Sequence, residues 1–158
     1  MTEREAKIIE VAVQLFSQYR MKRTSMIDID VEAGLARQTL YNSFSDKDEV
    51  ILCCIRALMT QKLSAIKSGA AHCDNAGDVL DIILETLSLK PYRILAQSRH
   101  ADEIMDSYSR FPVAEKTENN RQLIVAIEQV LQPYHRSIKG NDLTLSEIAE
   151  FITIRFNI

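Results

Sequence analysis

Several things are scarce in this chain, and each scarcity narrows what it can be. Cysteine occurs only as Cys53, Cys54 and Cys73, an odd number with no CxxC spacing. The first two are neighbours on a predicted helix and point in different directions. That usage supports no disulfide framework, and with no signal peptide at the start it predicts a reducing, cytoplasmic setting. No apolar run approaches the roughly 18–20 residues that a membrane-spanning helix needs, so no membrane partner is expected. A net basic charge is also missing. The formal charge is −3, with 19 Lys and Arg against 22 Asp and Glu, which argues against a wholly basic nucleic-acid binder and leaves room only for a small local basic face.

Motifs of catalysis are missing too. There is no GxSxG, Walker loop or GxGxxG, so nothing supports an enzyme or a cofactor. His72, Cys73 and Asp74 are metal-ligating types, but consecutive loop residues rarely present ligands at suitable angles and no HxxxH or CxxC partner exists. They read as a polar loop, and no metal site is expected. Alternating polar–apolar stretches are absent as well, which excludes a sheet of useful size. The four glycines all fall at joints between segments.

What remains is helical periodicity in a chain that is 46% hydrophobic and long enough for a substantial core. Residues 4–19 place Ile8, Ala12, Leu15, Phe16 and Tyr19 on one face. Two short helices are expected over 26–33 and 37–44, joined at Gly34. A long helix opens at 45-SDKDEV-50, capped by Ser45 or Asp46, and Gly69 is expected to end it. The very apolar 79-VLDIILETLSL-89 is expected to stop before Pro91. Residues 92–110 predict one or two shorter helices, and 115–132 another, broken by Pro133. A last helix starts at Thr144 and Glu147, which have capping-box spacing. The expectation is an all-α fold of eight or so helices.

The stretch 33-AGLARQTLYNSF-44 holds a helix too short to persist alone in water, yet most of its side chains are polar. Ile29 and Ala33 before the glycine, with Leu35, Leu40 and Phe44 after it, can share one small core. Arg37, Gln38, Thr39, Tyr41 and Asn42 are then left facing out. This is the logic of a helix–turn–helix, in which the first helix braces and the second enters the major groove. Arg matches guanine O6 and N7, Gln or Asn matches adenine N6 and N7, and a Thr methyl can meet thymine. Thr24 and Ser25 open the first short helix and Lys47 starts the long one, positions suited to phosphate. Arg20, Lys22 and Arg23 crowd the approach.

With its flanks, the N-terminal region of about residues 4–65 resembles the DNA-binding domain of the TetR family of bacterial repressors. The resemblance runs through 8-IIEVAVQLF-16, 24-TS-25, Ile29, 33-AGL-35, 39-TLY-41, Phe44 and 46-DKDEVI-51. It implies that Thr24 and Ser25 meet phosphate, that Arg37, Gln38, Thr39 and Asn42 lie in or beside the major groove, and that Tyr41 and Lys47 clamp the backbone. Four positions depart from the family's pattern. Arg20 stands where a glycine usually ends the first helix, and a left-handed cap there would cost about 1 kcal/mol. Asp30 replaces a small alanine at the helix crossing and must reach solvent or a partner. Ala36 replaces a serine cap worth roughly 1 kcal/mol. Ser43 stands where histidine is common.

The resemblance fades after about residue 65. It implies a TetR-like division into a DNA-binding domain, 1–46, and a helical ligand-binding and dimerisation domain, 47–158, that forms a homodimer through its last two helices. Met59, Leu63, Ile83, Leu87, Met105, Tyr108 and Ile127 are the residues expected to line a pocket for a small-molecule effector. The segment 145-LSEIAEFITIRFNI-158 stops in mid-pattern, which predicts that the dimerisation domain is incomplete at its C-terminus. The expected function is a ligand-responsive repressor binding a palindromic operator in double-stranded DNA. The alternative is a helical small-molecule binding or interaction protein that has lost operator binding. Asp30, Ala36 and the acidic balance of residues 1–50, with 7 Lys and Arg against 9 Asp and Glu, favour that alternative.

Overall fold

The computed structural model describes residues 2–19, 21–97, 112–138 and 143–156, and every regular element among them is helical. The chain forms two compact units, one holding the described residues up to Leu58 and the other Met59–Gln97 together with the described residues from Pro112 onward.

In the first unit, α1 (Glu3–Gln18) starts on a capping box, in which Glu5 N–H donates to Thr2 Oγ1 at 3.2 Å and Thr2 N–H to Glu5 Oε2 at 2.8 Å. α2 (Met26–Ala33) starts on a second box between Ser25 and Asp28. It ends at Gly34, whose φ of 66° is left-handed. There Gly34 N–H reaches the Val31 carbonyl and Leu35 N–H the Asp30 carbonyl, the paired bonds of a Schellman end. A Cβ on Gly34 would meet nothing within 4 Å, so the backbone angle alone demands glycine.

α3 (Arg37–Ser43) follows with no side-chain cap at Ala36. α4 (Lys47–Ala70) then begins under two caps: Asp46 Oδ1 accepts from Glu49 N–H, and Glu49 Oε2 accepts from Ser45 N–H. Ile8, Ala12, Phe16, Ile29, Leu40, Phe44 and Val50 meet in one buried core. Leu40 and Phe44 each contribute about 1.5–3 kcal/mol by that burial, which holds in place a helix that could not stand alone.

The second unit contains the far half of α4, α5 (Ala76–Leu84), a π-helical turn (Glu85–Leu89), α6 (Lys90–Gln97), α7 (Val113–Leu131), a 3₁₀ turn (Gln132–Tyr134) and α8 (Leu145–Phe156). Ile66, Val79, Ile83, Leu87, Leu123, Ile127, Leu131, Ala149 and Ile152 form its core. The Thr144–Glu147 capping box opens α8 as its spacing predicts.

Two local expectations are corrected. Gly69 does not end α4, which runs to Ala70; a Cβ at Gly69 would lie 2.7 Å from Ile82 Cγ2, so its smallness admits a close neighbour on α5. Pro91 does not stop the apolar helix, because it sits inside α6 directly after the π turn. In that turn Lys90 N–H bonds to the Glu85 carbonyl five residues back. The wider coil relieves the clash that a proline ring makes with the carbonyl four residues earlier.

Candidate nucleic-acid interface

α3 presents the polar set to solvent. Arg37, Gln38, Tyr41 and Asn42 are exposed while Leu40, on the opposite face, is fully buried. Thr39 is half-buried at the edge. The exposed residues pair one turn apart. The Arg37 guanidinium lies 5.5 Å from the centroid of the Tyr41 ring, and Gln38 Nε2 donates to Asn42 Oδ1 at 3.0 Å. Such i,i+4 contacts contribute about 0.2–1 kcal/mol each on an exposed helix. Their greater effect is on order, since they restrict long side chains before any ligand arrives.

The residues expected at phosphate are differently placed. Ser25 is exposed, but its hydroxyl donates to Asp28 Oδ2 at 2.8 Å and accepts from Asp28 N–H at 3.2 Å. The Ser25 N–H bond to Asp28 holds that carboxyl below its usual range, followed in importance by the Ser25 hydroxyl. A carboxylate therefore already occupies the start of α2. Thr24 is buried, with 4% of its surface exposed. Lys47 is half-buried, and its ammonium donates to the carbonyls of Met21 and Thr24, each at 3.2 Å. It brackets the turn before α2 to the start of α4 and keeps one N–H uncommitted to these carbonyls.

Sequence reasoning did not single out Asp28, although its place three residues after Ser25 is a legible capping signal. It also gave no role to Ile27 and Val31, one turn apart on α2 and 50% and 71% exposed. Asp30 is buried at 6% exposure. Its carboxylate is not among the buried side-chain atoms left without a partner, which among the described residues are Asn119 Nδ2 and Thr153 Oγ1.

Of the seven residues expected around an effector, Met59, Ile83, Leu87 and Ile127 are buried in the second core and Leu63 packs against it. Met105 and Tyr108 lie outside the described residues, as does Arg20. A depression of about 460 Å³ is lined by Gln132, Pro133, His135 and Arg136, none of them from that set. No helix among the described residues is long and apolar enough to cross a membrane.

Residues 8–53 match the family model for bacterial regulatory proteins of the tetR family. Over 129 residues the chain is 29% identical to YvdT, an uncharacterized HTH-type transcriptional regulator of Bacillus subtilis, covering 82% of this chain and 60% of that protein. The fold is that of a transcriptional regulator of the TetR/AcrR family from Thermobifida fusca, with a TM-score of 0.65 at 17% identity over 99% of this chain and 87% of the other. The SmeT–triclosan complex is similar at a TM-score of 0.61 and 14% identity, covering 97% of this chain and 76% of SmeT.

Proposed function

We propose that this chain, whose residues 8–53 match the family model for bacterial regulatory proteins of the tetR family, is a repressor of that family that binds a palindromic operator as a homodimer and is released by a small-molecule effector. One observation carries the reading: a seven-residue helix anchored by buried Leu40 offers Arg37, Gln38, Tyr41 and Asn42 to solvent as ordered pairs. On this reading Arg37, Gln38 and Asn42, with Thr39 beside them, meet base edges in or beside the major groove. Tyr41 and Lys47 clamp the DNA backbone, and Thr24 and Ser25 meet phosphate, contacts that fix register.

Exposed Val125 on α7, with Phe151 and Ile154 on α8, supports pairing of two copies through the last helices. The apolar cluster of Met59, Leu63, Ile83, Leu87 and Ile127 supports an apolar effector. SmeT, which shares the fold, is seen with triclosan. No enzyme activity belongs to this reading.

The acidic balance of residues 1–50 favours the second reading, a helical binding or interaction protein without an operator. A gel shift against the DNA upstream of the protein's own gene separates the two. A discrete complex that survives excess random DNA is expected, and equal binding to random DNA, or none, rejects the repressor.

A further inference from the structure

Gln38 and Asn42 both carry carboxamides, and either could in principle read adenine. The bond from Gln38 Nε2 to Asn42 Oδ1, at 3.0 Å, makes them unequal. A carboxamide has two N–H donors and one carbonyl acceptor. Gln38 has committed one donor and retains one donor with its whole acceptor, the complement of adenine N7 and the N6 amino group. Asn42 has one of the two lone pairs of its oxygen engaged by Gln38, so its carboxamide is the less open of the two for a paired contact with adenine. Gln38 is also the longer side chain by one methylene, so it reaches farther from α3. Arg37 sits apart in its own pair, over Tyr41.

We propose that Asn42 is a positioning residue, holding the Gln38 carboxamide so that Gln38 alone specifies one A·T pair in each half-site. The inference rests on the operator-binding reading above. On this arrangement the two amides act on a single base pair, and the paired bond lowers the ordering cost that Gln38 otherwise meets on reaching DNA.

The test is selection of the full chain against a randomised duplex pool, with sequencing of the enriched DNA, for the unaltered protein, Gln38→Ala, Asn42→Ala, Asn42→Asp and the double alanine variant. Gln38→Ala should lower preference for A·T at one column per half-site by about 5- to 100-fold. Asn42→Ala should lower it at the same column by about 3- to 10-fold, and the double variant should be no worse than Gln38→Ala. Asn42→Asp keeps the oxygen that Gln38 uses. It should keep the column's preference while its charge weakens binding to all sequences alike.

A direct reader behaves otherwise. If Asn42→Ala relaxes a different column from Gln38→Ala, with additive losses, or if Asn42→Asp turns a column towards C·G, the positioning role is overturned. Both side chains are exposed, so coincident thermal melts of all variants are the expected control. Enrichment of no sequence by the unaltered protein is a distinct result, which rejects the operator reading and this inference with it.

Discussion

Lys47→Met keeps most of the lysine stem and removes the ammonium that holds the Met21 and Thr24 carbonyls. Hydrogen bonds from a charged donor contribute about 1.5–3 kcal/mol each when well made. Both bonds here measure 3.2 Å, at the long end of the N–H···O range, and the side chain is only half-buried. Water can therefore replace part of what is lost, and about 1–2 kcal/mol for the pair is the expected cost. For a chain of this length that lowers the melting temperature by about 2–8 °C. The assay is paired: thermal melts by circular dichroism, and operator titrations at several salt concentrations. If the remaining N–H also meets phosphate, the slope of log K against log salt becomes shallower by about 2 for a dimer, one unit per subunit. A shallower slope with an unchanged melting temperature refutes the bracket and makes Lys47 a plain phosphate clamp.

Gly34→Ala should cost about 1 kcal/mol in urea unfolding, because φ is 66° with open space around the new methyl; a neutral result would mean that α2 ends differently. The carboxyls of Asp28, Glu49 and Glu147 are each held below their usual range, first by a backbone N–H bond and then by a hydroxyl, of Ser25, Ser45 and Thr144 respectively. Their contribution is present above the ordinary carboxylate pKa and lost as pH falls through the lowered folded values. Stability should thus drop as pH falls through and below the ordinary carboxylate range, and Asp28→Asn, Glu49→Gln and Glu147→Gln together should flatten that drop. Burial pushes the Cys54 thiol up to about 12, so at pH 8 a thiol reagent should leave Cys54 unlabelled in the native protein and modify it in urea, as peptide mass mapping will show. Rapid native labelling of Cys54 would contradict its place in the first core.

Much of this architecture was legible because the controlling interactions are local in sequence. Capping at Thr144–Glu147, the turn at Gly34 and the apolar spacing of Ile29, Ala33, Leu40 and Phe44 are written within a few residues of one another. The outward set on α3 followed from the same spacing. Lys47 was read as a cation at a helix start, since nothing local reveals carbonyls 23 and 26 residues upstream that accept its N–H bonds. Thr24 next to Ser25 looked like a second phosphate contact, but its burial depends on how the turn before α2 packs. Gly69 was misread for a related reason: a glycine needed for a neighbour's approach and one needed for a turn look alike until Ile82 is in place. Pro91 was misread as a stop, because a proline in sequence signals a conflict with the helix but not that a wider turn can relieve it.

The π turn at Glu85–Leu89 also preserves a phase. An i→i+5 turn holds one residue more than the α-helical turn it replaces, so the extra residue is absorbed in the wider coil and is not passed on as a rotation of α6. Deleting one residue from this turn would restore ordinary α-helix and leave Tyr92 and Ile94, now 62% and 63% exposed, on the outer face. Pro91 would then meet the carbonyl four residues earlier in an unwidened coil. A homologue with one residue fewer here should therefore also lack the proline, and alignments through residues 85–91 should place the gap inside the turn.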